Sequence, residues 1–250
     1  MSYITRTMAC QAINKMQSFH SDIVNLYHRH DMDLLDNLGR RNIVMSQAQE
    51  EFFSQVLSET FKDVIADGKT GQPDILIGSL NKELECKLTS RHKGGAISFQ
   101  TDYTTLAQKG ELDYLYVIAD HAFEKFAVLH FTGLTTNDFR PLSNGARGKV
   151  AMKKYEGMKK CNVLLGNAIN INERHVKKLS LKLLSATTQA QRDKINKKIE
   201  YWKTSSSRYS FELEDTSIPS KMEQLSLFED NAQVTKEVSP VAPLLYFVIF

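Results

Sequence analysis

The pattern around two short apolar runs, 74–78 and 82–88, most restricts how this chain can fold. Turn-forming residues 79–81 separate the runs, which is typical of a β-hairpin. Side chains alternate between the faces of an extended strand, so the apolar residues of the second run should pack into the core while Glu85 and Lys87 share the opposite face. A charged pair on such a strand costs free energy unless the protein uses it, so we expect both residues to be functional.

Asp74 stands at the start of the first predicted strand and should lie beside Glu85 if the two strands pair. Two neighbouring carboxylates repel each other, and a divalent cation relieves that repulsion. Mg2+ prefers hard oxygen ligands and accepts one or two protein carboxylates together with water and a phosphate. A nearby lysine such as Lys87 can position or deprotonate a water molecule, so these residues suit the hydrolysis of phosphodiesters.

Pro73-Asp74, ten intervening residues and then Glu85-Cys86-Lys87 resemble the signature of the PD-(D/E)XK nuclease superfamily. Its members include many type II restriction endonucleases, repair nucleases and junction resolvases. The resemblance implies an α/β fold with a restriction-endonuclease-like core, a mixed central sheet flanked by helices, over roughly residues 46–165. It also implies that Asp74 and Glu85 bind Mg2+ and that Lys87 is the catalytic lysine. The alternative is an ordinary edge hairpin with a surface Glu–Lys pair.

Further candidate site residues follow from the same resemblance. Members of the superfamily often contribute another acid from the helix before the hairpin, and we favour Glu50 because it borders the apolar stripe of that helix, whereas Glu51 lies on its wetter face. Glu83 shares a face with Glu85 and is an alternative metal ligand. Some exonuclease-type relatives use a glutamine near the position of Gln100, at a spacing one residue wider, so Gln100 is a further candidate catalytic residue.

Apolar spacing and turn residues predict the remaining secondary structure. The predicted helices are 7–37, with Gly39 as the stop, 46–63, with Ser46 as the N-cap, and 173–203; the further strands are 112–119 and 126–131. Residues 97–103 suit either a strand or the start of a helix, and the chain after Thr204 is expected to be a loop or tail. The predicted division is an N-terminal helical segment 1–45, a nuclease core 46–165, a basic helical segment 166–210 and an acidic tail 211–250.

Charge is distributed unevenly along the second half of the chain. Residues 140–203 contain 16 Lys and Arg against 4 Asp and Glu, a net charge of +12, while residues 211–237 carry a net charge of −5. A basic block of this kind indicates a surface facing nucleic acid, although solvated helix faces are also often rich in lysine. The family resemblance implies that this nucleic acid is double-stranded DNA. The candidate DNA-binding residues are Arg91, Lys93, Arg140, Arg147, Lys149, Lys153 and Lys154. Arg147 lies in a glycine-containing loop and is a candidate reader of guanine.

The acidic tail contains a separate motif. Gln224, Leu225, Leu227 and Phe228 resemble the short peptide with which bacterial repair and replication proteins dock on the sliding clamp. The apolar residues would anchor in a pocket while the glutamine fixes the register by hydrogen bonds. The alternative is that these residues pack back on the protein's own domain.

Three scattered cysteines and the lack of a signal peptide or apolar span favour a cytoplasmic protein with no membrane partner. The function that we expect is that of a site-specific, type II restriction-like endonuclease. The alternatives are a structure-specific repair or replication nuclease recruited by the clamp, and a catalytically inert DNA-binding module. A palindromic target would imply a homodimer.

Overall fold

The predicted hairpin is confirmed. Strand β2 (Ile75–Ile77) pairs antiparallel with β3 (Lys82–Ser90), and the register places Ile75 opposite Leu84. A short 3-10 turn, Gly78–Leu80, joins them. Asn81 closes this turn in the left-handed conformation, with φ of 50°, which asparagine tolerates better than most residues. The hairpin therefore forms where the turn chemistry indicated.

A computed structural model of the chain describes residues 2–67, 73–90, 97–142, 148–206 and 208–216. Its helices are α1 (Arg6–His28), α2 (Leu38–Ser58), α3 (Tyr103–Lys109), α4 (Lys154–Met158), α5 (Ile171–Leu184) and α6 (Gln189–Thr204). The other strands are β1 (Val64–Ile65), β4 (Gln100–Asp102), β5 (Leu112–Ala119), β6 (Phe126–Leu134), β7 (Lys149–Ala151), β8 (Cys161–Leu165), β9 (Asn167–Asn170) and β10 (Tyr209–Glu212).

Six strands form a mixed central sheet in the order β1-β2-β3-β5-β6-β8. The pair β3 and β5 is parallel, with Glu85 opposite Tyr114 and Lys87 opposite Tyr116, and the other neighbouring pairs are antiparallel. Every residue of β5 is buried, as expected for a central strand that is covered on both faces. The protein is thus an α/β protein whose mixed central sheet is flanked by helices. Two small two-stranded sheets, β4 with β7 and β9 with β10, complete the strand pairings.

The two faces of the sheet border different cores. Leu84, Cys86 and Leu115 face a core that includes the apolar residues of α1 and α2. Tyr114 and Tyr116 face the second core. This core also contains Phe99, which directly precedes β4, Val150 of β7 and Phe211 of β10. This arrangement follows from strand alternation, because neighbouring residues of β3 and β5 point to opposite faces. Glu85 and Lys87 consequently lie on the side of the second core.

The prediction of one helix over 7–37 and another starting at Ser46 is wrong. Helix α1 ends at His28, and α2 begins at Leu38, where the Asn37 side chain caps it by accepting a hydrogen bond from the Arg40 N–H at 3.1 Å. Ser46 lies inside α2 and donates its hydroxyl to the Ile43 carbonyl at 2.9 Å. Helix α2 therefore runs across the predicted division between residues 45 and 46.

The C-terminal prediction is confirmed for the helical spacing of 173–203 but needs correction after Thr204. The helical residues form two helices, α5 and α6, and Thr188 caps α6 and forms a capping box with Gln191. Beyond Thr204 the chain is not simply a tail, since β10 pairs antiparallel with β9 and buries Phe211. The residues up to Thr216 belong to one compact unit, which contains the predicted segments 1–45, 46–165 and 166–210. None of the helices in the described part of the chain is long and hydrophobic enough to span a bilayer.

A buried arginine, Arg41, connects α2 to the C-terminal ends of β3 and β5. The Arg41 guanidinium is fully buried and donates to the carbonyl of Asp120 at 3.0 Å, to the carbonyl of His121 and to the Ser90 hydroxyl at 2.7 Å. Its carbon Cζ also lies 5.1 Å from the centre of the Phe123 ring. Burial lowers the pKa of Arg41 to about 10, so it remains a cation at neutral pH.

Replacing Arg41 should destabilise the protein much more than replacing its exposed neighbour. Arg41→Met removes a buried guanidinium that donates to two backbone carbonyls and to the Ser90 hydroxyl, so we expect the free energy of unfolding to fall by about 2–4 kcal/mol. Arg40→Met on the same turn of α2 should change it by less than about 0.5 kcal/mol. Urea denaturation measures both values, and equal losses in the two variants would contradict this role.

His20 makes stability depend on pH. The ring is buried and stacks on Phe123 at 4.7 Å, and burial lowers its pKa to about 4, with Arg41 adding to this effect and Asp120 opposing it. A folded-state pKa below the unfolded value of about 6.5 means that the neutral ring contributes stability above pH 6.5, which is lost as the pH falls towards 4.

Wild-type protein should therefore lose stability relative to His20→Phe on acidification. The difference in free energy of unfolding should change by about 1.4 kcal/mol per pH unit between pH 6 and 4.5, because the wild-type unfolded chain binds one more proton. Urea melts at several pH values measure this difference. Parallel stability curves for the two proteins would show that His20 does not titrate in this way.

Candidate active site

Asp74, Glu85 and Lys87 come together at the open end of the hairpin. The Lys87 Nζ lies 2.5 Å from Glu85 Oε1 and 3.8 Å from Asp74 Oδ2. The same Asp74 oxygen accepts a hydrogen bond from the Cys86 N–H at 2.7 Å, which ties the residue before β2 to the middle of β3. The three side chains retain between 19% and 32% of their exposure, so they are half-buried yet reachable from solvent.

Strand alternation explains this arrangement. Leu84 and Cys86 are buried in the first core, so the residues between and after them are directed to the other face of the sheet. On that face Tyr114 and Tyr116 of β5 stand opposite Glu85 and Lys87. The charged pair thus adjoins buried tyrosines on one side and the hairpin on the other.

The carboxyl group of Glu50 in α2 interacts electrostatically with Asp74, Glu85 and Lys87. Burial raises the pKa of Glu50 to about 7; the charges of Asp74 and Glu85 also raise it, while that of Lys87 lowers it. Glu51 instead accepts a hydrogen bond from Gln55 at 2.7 Å on the exposed face of the same helix. The structure therefore brings Glu50, and not Glu51, towards the three hairpin residues.

Asp74 and Lys87 each shift the pKa of the other. Burial raises the pKa of Asp74, and the charge of Glu85 adds to this effect against the opposing influence of Lys87 and the Cys86 N–H. Burial by itself lowers the pKa of Lys87, but the charges of Glu85 and Asp74 outweigh it and raise the pKa above its ordinary value. Lys87 is consequently an ammonium at neutral pH, which suits it to donate hydrogen bonds rather than to act as a base.

Two tyrosines link this group to strand β4. The Tyr114 hydroxyl is 2.7 Å from the Thr101 hydroxyl, and the Tyr116 hydroxyl donates to the Gln100 carbonyl at 2.8 Å. Gln100 itself is exposed, so its backbone is held beside the site while its side chain reaches solvent. Neither tyrosine is among the site residues predicted from the sequence, although their spacing of two in a predicted strand indicates that they share one face.

The donor set suits a hard divalent cation. Asp74 and Glu85 provide two carboxylates on either side of the Lys87 ammonium. Mg2+ accepts one or two protein carboxylates, with water completing its shell. Among the described residues, no cluster of three acidic, histidine or cysteine side chains is close enough to hold a metal ion. Glu83, the alternative ligand, forms an ion pair with Lys109 at 2.8 Å instead. Asp74 and Glu85 are therefore the candidate ligands, with Glu50 nearby.

The candidate basic residues that the structure describes lie on and around the small β4–β7 sheet. Lys149 starts β7, opposite Asp102, and the Arg140 N–H donates to the Ala151 carbonyl at the other end of β7. Burial lowers the pKa of Lys154, and the nearby charge of Arg140 adds to this effect. Arg140, Lys149 and Lys153 are exposed, and the Lys153 ammonium donates to the Asn137 carbonyl at 3.0 Å.

This basic group adjoins the acidic site through β4. Strand β7 pairs with β4, and β4 in turn contacts the tyrosines beside Glu85 and Lys87. Several predicted site residues lie outside the described part of the chain: Arg91, Lys93, Arg147, Gln224, Leu225, Leu227 and Phe228.

Sequence and structure comparisons with known proteins gave no matching family model, no similar curated protein and no similar solved structure.

Magnesium should stabilise this protein through Asp74 and Glu85. We expect millimolar Mg2+ to raise the melting temperature by a few degrees over protein in chelator, since a ligand that binds only the folded state adds about 1 kcal/mol at several times its Kd. Asp74→Asn and Glu85→Gln should each remove the shift, whereas Glu83→Gln on the same strand should retain it. Differential scanning calorimetry provides the measurement. A full shift in Asp74→Asn, or its loss in Glu83→Gln alone, would assign the metal elsewhere.

Proposed function

We propose that this chain is a magnesium-dependent endonuclease of the PD-(D/E)XK superfamily that hydrolyses phosphodiester bonds in double-stranded DNA. The observation that carries the proposal is the position of the Lys87 ammonium between the carboxylates of Asp74 and Glu85. Glu50 interacts electrostatically with all three residues. The mixed sheet adds support, because a hairpin followed by a strand parallel to β3, with helices on the flank, is compatible with the restriction-endonuclease-like core that the motif implies.

Each residue has a separate part in the proposed reaction. Asp74 and Glu85 would hold the cation through their carboxylate oxygens, with Glu50 as a further acid. When bound, Mg2+ would supply Lewis-acid stabilisation of the charge that develops on the phosphate. The Lys87 ammonium would donate hydrogen bonds to a phosphate oxygen and to the attacking water. The water oxygen would bond to phosphorus as the bond between phosphorus and one ester oxygen of the strand breaks. The attacking water would release a proton to solvent and the departing oxygen would take one up, so that one end of the cut carries a phosphate and the other a hydroxyl.

The basic side chains around β7, of which only Lys154 is half-buried, would hold the DNA backbone. Arg140, Lys149, Lys153 and Lys154 form a basic surface whose strand adjoins the site through β4. Contacts of this kind attract phosphates whatever the base sequence, so they position the duplex and do not select a target. Binding should accordingly weaken as the salt concentration rises.

The most specific form of the proposal is a type II, site-specific restriction endonuclease. Such an enzyme often recognises a palindrome, which two subunits related by a two-fold axis can read, so a homodimer is part of this form. A repair or replication nuclease recruited by the sliding clamp is the second candidate, which the peptide at 224–228 favours. The cleavage pattern distinguishes the two.

Purified protein should cut plasmid and phage DNA when Mg2+ is present and not when it is chelated. Lys87→Ala should lower the rate at least about 100-fold, because the donor to the reacting groups is lost. Glu83→Gln is the matched control on the same strand and should retain activity. Gel electrophoresis of the products provides the measurement, and urea melts confirm that each variant is folded.

The products decide between the candidates. Discrete fragments support site-specific restriction, and cleavage confined to branched, nicked or mismatched DNA supports the repair nuclease. Binding without cleavage in Mg2+, or a Lys87→Ala protein that is as active as wild type, would refute the proposed enzyme.

A further inference from the structure

A cavity built from residues outside the acidic group lies between α4, the start of α5 and the end of α6. It has a volume of about 360 Å3, within the range of small-ligand sites. Its lining combines two aromatic rings with amide and charged groups: Tyr155, Asn170, Asn172, Glu173, Val176, Lys177, Trp202 and Lys203. None of these residues takes part in the proposed hydrolysis.

The tryptophan of this cavity contacts several neighbouring groups. The His175 ring stacks on Trp202 with centroids 4.2 Å apart and planes only 8° from parallel, so the imidazole covers one face of the indole. The guanidinium carbon of Arg208 lies 5.9 Å from the centre of the Trp202 ring. The buried Asn172 amide donates to the Trp202 backbone carbonyl at 3.0 Å, and its oxygen accepts from the Arg208 N–H at 3.1 Å. A flat ligand can therefore stack only on the indole face opposite His175.

Tyr155 provides the second ring of the cavity. It retains 48% of its exposure, and the Lys159 ammonium lies 4.2 Å from its ring centre. An exposed tyrosine beside a half-buried tryptophan makes an aromatic lining that suits flat, conjugated ligands.

The polar groups of the cavity favour a ligand that also bears negative charge. Lys177 and Lys203 contribute two exposed ammonium groups, while Glu173 contributes one carboxylate. That carboxylate is engaged by the Asn170 amide at 2.8 Å. The lining therefore carries a net positive charge next to its aromatic rings.

We propose that this cavity binds an unpaired nucleotide of a DNA strand, with its base stacked against the aromatic lining and its phosphate near Lys177 and Lys203. A base stacks on aromatic side chains whatever its identity, and lysines follow the backbone. Lys154 is the first residue of α4, the helix that contributes Tyr155 to the cavity lining, so the cavity and the basic residues around β7 share this helix. This inference deepens the proposed nuclease function by adding a site for a displaced or single-stranded nucleotide.

Trp202 is the only tryptophan in the chain, so its fluorescence reports on the cavity directly. We expect single-stranded dT4 to quench it saturably in chelator, where no cleavage takes place. An abasic tetranucleotide of equal charge should bind at least about fivefold more weakly, since it offers no base to stack. Titration with dTMP shows whether one nucleotide suffices: binding equal to that of dT4 means that one nucleotide fills the cavity, and weaker binding means that the neighbouring phosphates contribute.

Matched variants separate the cavity from the general surface. Tyr155→Ala and Lys203→Gln should each weaken dT4 binding several-fold, whereas Leu184→Ala and Lys197→Gln, at exposed positions of α5 and α6 outside the cavity, should not. The inference is overturned if dT4 does not quench, if the abasic strand binds equally well, or if the control variants lose as much affinity. Because these titrations exclude Mg2+, they are independent of cleavage, and loss of cleavage alone would refute only the nuclease.

Discussion

The pairing of β3 with two different neighbours is the constraint on which the rest of the structure depends. Its antiparallel partner β2 brings Asp74 to Glu85, and its parallel partner β5 places two buried tyrosines beside the charged pair. A shift of one residue in either pairing would turn Glu85 and Lys87 into the first core and expose Leu84 and Cys86. The apolar face of β3 thus fixes the position of the charged face.

Placing several carboxylates near one lysine is costly without a further cation. Asp74 and Glu50 both have raised pKa values, in each case because of burial and then neighbouring negative charge. Lys87 offsets part of this repulsion, and a pKa of about 7 lets the Glu50 carboxyl relieve more of it by taking up a proton. Under the function that we propose, Mg2+ would relieve the remaining repulsion through the hard oxygen ligands of Asp74 and Glu85.

The sequence allowed the hairpin and the neighbourhood of Glu50 to be predicted because both depend on local periodicity. Alternation put Glu85 and Lys87 on one face, and the apolar stripe of α2 put Glu50 at its border. Helix ends were predicted poorly, since the apolar spacing of α1 continues past His28 and the decisive signal is the single cap at Asn37. The link through Tyr114 and Thr101, and the pairing of β9 with β10, depend on contacts between distant segments that no local pattern contains.

Arg41 connects the stability of the fold to the geometry of the site. It lies nine residues before Glu50 on α2, and its guanidinium donates to the hydroxyl of Ser90, the last residue of β3. One buried side chain therefore fixes the helix that carries Glu50 to the strand that carries Glu85 and Lys87. A rigid helix and strand, joined outside the site, can hold like charges close together that would otherwise move apart. The free energy that Arg41 contributes to folding thus helps to maintain an acidic group that opposes folding.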